Sequence, residues 1–162
     1  MTKASSKHAI VIGAGMGGLL FARALSTHFQ RVTMLERDTL PESAQARRGI
    51  PQGCHLHSLL AGGCRSIEHL LPGIAEDLRA AGAVQLIAGL SVRIERPGYD
   101  PFPARDLGFS SFSLSRPLLE YCVHRRVRAT PNVAVQQDVT VERLLHSGEA
   151  IVGVQQIGRA HV

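Results

Sequence analysis

Two short apolar runs near the start of the chain, Ala9-Ile10-Val11-Ile12 and Val32-Thr33-Met34-Leu35, flank a segment, 19–29, with few helix breakers. Apolar runs of this length bounded by turn residues predict buried strands, and the segment between them a helix. Glycines 13, 15, 17 and 18 mark the boundary between the first strand and that helix. Farther along, 37–53 is polar, carries Pro41, Gly49 and Pro51, and reads as a loop. Leu56, Leu59, Leu60, Ile67, Leu70 and Leu71 recur with helical spacing and predict a helix over 55–71, ended by Pro72-Gly73. A short helix over 74–81, a strand over 84–94 and an extended segment with Phe109, Phe112 and Leu114 follow. Ser115-Arg116-Pro117 opens a helix that runs to residue 129, because serine caps well and proline is tolerated in a first turn. A strand over 133–137 and a hairpin pairing 140–145 with 150–155 complete the pattern.

The glycine boundary is where chemistry enters. Strand, Gly13-Ala14-Gly15-Met16-Gly17-Gly18, helix, and a second strand ending in Glu36-Arg37 is the sequence form of a dinucleotide-binding βαβ unit. Gly13 permits the tight turn, Gly15 lets backbone approach a pyrophosphate, and Gly18 allows the helix to pack closely on the strand. The pyrophosphate is expected at the helix N-terminus, where free N–H groups and the dipole favour an anion. Glu36 lies 18 residues beyond Gly18, close to where a carboxylate accepts hydrogen bonds from ribose hydroxyls.

Composition narrows the alternatives. At 162 residues with 44% apolar content the chain matches one ordinary globular domain. No apolar run is long enough to span a bilayer, and the first seven residues lack the apolar core of a secretory signal, so a cytoplasmic location is expected. The net charge of +5 invites a nucleic-acid reading, but only 4% of residues are aromatic and no basic run interleaves with them. The densest basic stretch, His124-Arg125-Arg126-Val127-Arg128, suits the last turns of a helix. Cys54, Cys64 and Cys122 are an odd, widely spaced set and read as reduced thiols. Cys54, His55 and His57 raise the thought of a metal, yet no further ligands complete a zinc set, and none is expected.

Glu36-Arg37, the arginine-containing loop and the helix opening Ser115-Arg116-Pro117-Leu118-Leu119-Glu120 together resemble FAD-dependent monooxygenases of the aromatic-hydroxylase type. The stretch from Arg48-Gly49-Ile50-Pro51-Gln52-Gly53 through His55 and His57 to Leu60 is similar to a subgroup of microbial FAD-dependent oxidoreductases. The resemblance implies an α/β, Rossmann-like FAD-binding βαβ domain in three layers, a parallel sheet plus a β-meander, with a partial α+β substrate-domain insertion. It implies FAD as cofactor and NAD(P)H as co-substrate. The resemblance implies that Gly13, Gly15 and Gly18 cradle the FAD pyrophosphate, Glu36 holds the adenosine ribose, and Arg48 and Arg116 reach the phosphate–ribityl side, with Ala14, Gly17 and Arg37 in the same cofactor-binding set. Gln52, His55 and His57 are candidates for the flavin edge, and Val139 matches the position that touches adenine. No catalytic base is identified. The reaction expected of the parent enzyme is hydroxylation or epoxidation of a small organic substrate; a flavin-dependent dehydrogenase, reductase or halogenase is the alternative.

Two departures bear on extent. The later Gly-Asp segment of such enzymes, and the short Asp-Gly motif that precedes it, do not occur here. The chain is therefore expected to be an N-terminal portion, inactive alone, with 1–40 and 114–156 forming the FAD-binding part and 41–113 the insertion. The last six residues, Ile157-Gly158-Arg159-Ala160-His161-Val162, are what a common sequencing-library adapter encodes in one frame, and 157–162 is expected to be adapter-derived.

Overall fold

A computed structural model describes residues 7–47, 51–93 and 95–158. The first unit is β1 (His8–Ile12), α1 (Met16–Leu25) and β2 (Arg31–Leu35), as the apolar runs predict. β1 and β2 pair in parallel, Ile12 opposite Leu35, and β6 (Val133–Gln136) adds to the far side of β2, giving the order β1-β2-β6. Alternation in β1 is strict: Ala9 and Val11 are buried, while Ile10 and Ile12 face away. The buried side packs on Leu19 and Ala22 of α1 and on α4 (Arg116–Arg128), whose Leu119, Val123 and Val127 belong to the same core. α4 starts as its sequence dictates, with the Ser115 hydroxyl accepting from the Leu118 N–H at 3.3 Å and Pro117 in the first turn.

Between β2 and α4 come a short 3₁₀ turn (Pro51–Cys54), β3 (Leu56–Leu59), α2 (Ala61–Leu70), α3 (Ile74–Ala80), β4 (Val84–Ile87) and β5 (Ser110–Ser115). β5 is the centre of an antiparallel sheet with order β3-β5-β4. The helix expected over 55–71 is corrected here: its first part is β3, and the helix begins only at Ala61. Strand and helix compete evenly for a short apolar run, and the free edge of β5 decides, placing Leu59 opposite Phe112 with both buried. The strand expected over 84–94 stops at Ile87, since the chain turns at Gly89, where an added Cβ would stand 2.1 Å from the Arg105 carbonyl.

β7 (Val139–Ser147) and β8 (Ala150–Gly158) form the predicted hairpin, longer than expected at both ends. Ile157 and Gly158 continue β8 opposite Thr140 and Val139; 159–162 lie outside the described residues. The second face of the parallel sheet, marked by Ile10 and Ile12, borders this hairpin across a groove that Leu144, Ile151 and Val152 also line. Sheet, helices on one side and hairpin on the other are the three layers, and the cleft described next opens at the carboxyl ends of β1 and β2.

Candidate dinucleotide-binding site

β1 leaves the sheet through Gly13, held at φ +93° with its N–H donating to the Leu35 carbonyl at 2.7 Å. Gly15 then caps α1 with no side-chain acceptor, and α1 has no acidic residue in its first turn. The first N–H groups of the helix have no partner inside it, so they are donors for a ligand anion. A Cβ added at Gly13, Gly15 or Gly17 meets nothing within 4 Å, which leaves open space in front of the turn. At Gly18 the opposite holds: a Cβ would lie 1.9 Å from the Gly13 carbonyl oxygen, so only glycine lets α1 sit this close to the turn.

Glu36 follows β2 and is 5% exposed. One carboxylate oxygen accepts from the Ala14 N–H at 2.6 Å and the other from the Asp38 N–H at 3.0 Å. Arg47 closes the back of the site. Its guanidinium donates to the Ala14 carbonyl at 3.0 Å and lies 3.5 Å from Glu36, 3.6 Å from Asp38 and 3.8 Å from Glu120. Arg116 donates to Glu120 at 2.8 Å one helical turn away. Two guanidiniums and three carboxylates thus pair around the glycine turn with one negative charge in excess, and the pairing offsets the cost of removing these charges from water.

The resulting cleft has a volume of about 350 Å³ and is lined by Gly13, Gly15, Glu36, Arg37, Asp38, Arg47 and Val139 among others. Ala14 and Arg116 line a smaller pocket of about 30 Å³ behind it, with Arg47, Glu120 and His124. Burial holds the His124 imidazole below its ordinary range, the Arg128 and Arg47 charges adding to the effect, and its Nε2 has no hydrogen-bond partner among the described residues.

Of the residues singled out from sequence, the structure gathers Gly13, Gly15, Glu36, Arg37 and Val139 at the cleft and sets Ala14, Gly18 and Arg116 directly behind it. Gly17 is exposed on the first turn of α1. Arg48 and the side chain of Gln52 lie outside the described residues. His55 and His57 do not line the cleft; His57 sits on β3 opposite Leu114, outside the helix expected over 55–71. Arg47, Asp38 and Glu120 were not singled out. The adjacent pair Arg47-Arg48 was the only signal for the first, and nothing in the sequence marks Arg47 as a residue of the cleft.

The glycine turn, the buried acid after β2 and the open cleft at the strand ends belong to a Rossmann-like α/β domain, in a fold shared with a probable FAD-dependent monooxygenase and an FAD-dependent halogenase. PqsL from Pseudomonas aeruginosa, a probable FAD-dependent monooxygenase, superposes with a TM-score of 0.65 at 18% identity over 93% of this chain and 38% of its own. The myxobacterial chondrochloren halogenase CndH, an FAD-dependent halogenase, gives 0.64 at 25% identity over 94% of this chain and 33% of its own. Among curated proteins, Protein Rv3254 of Mycobacterium tuberculosis is 36% identical over 91% of this chain. No protein-family model matches. The chain spans 32% of Rv3254 and about a third of the solved chains, which accords with the expected partial length.

Proposed function

We propose that the chain forms the FAD-binding part of an NAD(P)H-dependent monooxygenase that hydroxylates or epoxidises a small organic substrate. The observation that carries the reading is the juxtaposition of an uncapped helix N-terminus, a glycine turn with open space before it, and a buried carboxylate one strand over. The residues fit the cofactor. The N–H groups at the start of α1 suit its diphosphate, and Glu36 keeps lone pairs for ribose hydroxyls beyond those given to Ala14 and Asp38. Val139 would offer apolar contact to adenine, and Arg47 lines the same cleft with its charge shared among Glu36, Asp38 and Glu120, while Arg116 lines the smaller pocket and pairs with Glu120. When bound, the flavin would supply the redox chemistry; these side chains bind and orient it. A halogenase is the second reading, favoured by the 25% identity to CndH.

The full-length protein is expected to purify yellow and to release FAD on denaturation. NADH or NADPH oxidation assayed with and without oxygen then separates the reactions: oxygen-dependent turnover with an organic substrate supports a monooxygenase. Oxygen-independent turnover would assign a dehydrogenase or reductase, and oxygen-dependent turnover that requires halide would assign a halogenase.

A further inference from the structure

The segment after β2 and the turn between β6 and β7 form two walls of the cleft, Arg37 and Asp38 on one, Val139, Thr140 and Val141 on the other. Three hydrogen bonds tie the walls together. The Val139 N–H donates to the Glu36 carbonyl at 2.9 Å. The Thr39 hydroxyl donates to Asp138 Oδ1 at 2.9 Å, and the Leu40 N–H donates to Gln137 Oε1 at 2.6 Å. Thr39, Gln137 and Asp138 do not themselves line the cleft. Asp138 sits at φ +57°, the one non-glycine positive φ among the described residues. A side chain there is tolerated chiefly for Asn and Asp, and such backbone persists only where its surroundings over-determine it.

We infer that Thr39, Gln137 and Asp138 are positioning residues that latch the 37–40 segment to the β6–β7 turn and so fix the width of the adenosine end of the cleft. The inference rests on the reading of the cleft as an adenine-dinucleotide site. Without the two side-chain bonds, the backbone bonds of Glu36 with Gln136 and Val139 would still join the strand ends, but the 37–40 segment beyond them would have to be ordered at the moment of binding. Ordering a loop on binding lowers affinity, which is the gain from a wall set in advance. None of the latch's bonds reaches a residue of the glycine turn, so its effect is expected on the adenosine and not on the diphosphate.

That asymmetry gives the test. ADP and inorganic pyrophosphate are titrated by calorimetry into wild-type protein stripped of nucleotide and into the double variant Thr39→Val, Gln137→Met. The double variant should bind ADP about tenfold more weakly, with its pyrophosphate affinity within about twofold of wild type. Asp138→Asn, which keeps an acceptor and tolerates the backbone, should retain wild-type ADP affinity. Unchanged ADP affinity in the double variant overturns the latch, and so does an equal loss of ADP and pyrophosphate, which would mark general loss of structure. If the wild type binds neither ADP nor FAD, the reading of the cleft fails and the latch with it.

Discussion

Glu36 is engaged on several sides before any nucleotide arrives. Its carboxylate takes the Ala14 and Asp38 N–H groups, its own N–H donates to the Gln136 carbonyl, and its carbonyl accepts from Val139. It therefore shapes the glycine turn whatever the cleft binds. Gly18 does its work by what it lacks. Gly18→Ala drives a methyl against the Gly13 carbonyl, a backbone atom with no rotamer to escape to, and should destabilise the fold by roughly 1–3 kcal/mol, the usual range for overpacking. Urea unfolding checks this; a midpoint unchanged from wild type would show that the turn yields freely. At this scale the sequence was informative wherever a residue's role is set by its neighbours in the chain. Gly13, Gly15, Gly18 and Glu36 all carry their meaning in spacing. Arg47 does not, because its partners Glu36, Asp38 and Glu120 are brought together only by the packed fold.

Between elements, the contact of α2, α3 and α4 is held by charge. Glu68 on α2 accepts from the Gly73 and Ala75 N–H groups at the start of α3, at 2.5 and 3.0 Å. These bonds hold its carboxyl below the ordinary range. Arg126 of α4 pairs with Asp77 on α3 at 2.5 Å, and that bond lowers the Asp77 carboxyl likewise. A carboxyl depressed in the folded state adds stability above its unfolded pKa, and the contribution is lost as pH falls through the folded value. Melting temperature should thus fall as the solution is acidified through and below the ordinary carboxylate range. Glu68→Gln with Asp77→Asn should be less stable near neutrality and show a flatter acid limb. An acid limb as steep as that of the wild type would refute the assignment. The strand at 56–59, read as helix from sequence, has a long-range cause. Leu56 and Leu59 fit either period, and the choice of strand was made by β5, over fifty residues away in the chain. The α4 start, by contrast, is written locally in Ser115 and Pro117.

For the whole molecule, the parallel sheet, the layer of helices and the hairpin follow the expected order, and the cleft falls where a doubly wound sheet places its ligand, beyond the carboxyl ends of the strands. The antiparallel sheet of β3, β5 and β4 was less legible, because its strands pair across long loops. No helix among the described residues is long and apolar enough to cross a membrane. The central claim is that this cleft holds FAD through Glu36, and it is tested most directly by titrating FAD into the protein stripped of nucleotide while following flavin fluorescence, for wild type and Glu36→Ala. Saturable binding that weakens by roughly 1.5–3 kcal/mol in the variant, about ten- to a hundredfold, is the expected result. FAD affinity unchanged by Glu36→Ala, or a wild type that ignores FAD and binds NAD tightly, would contradict it.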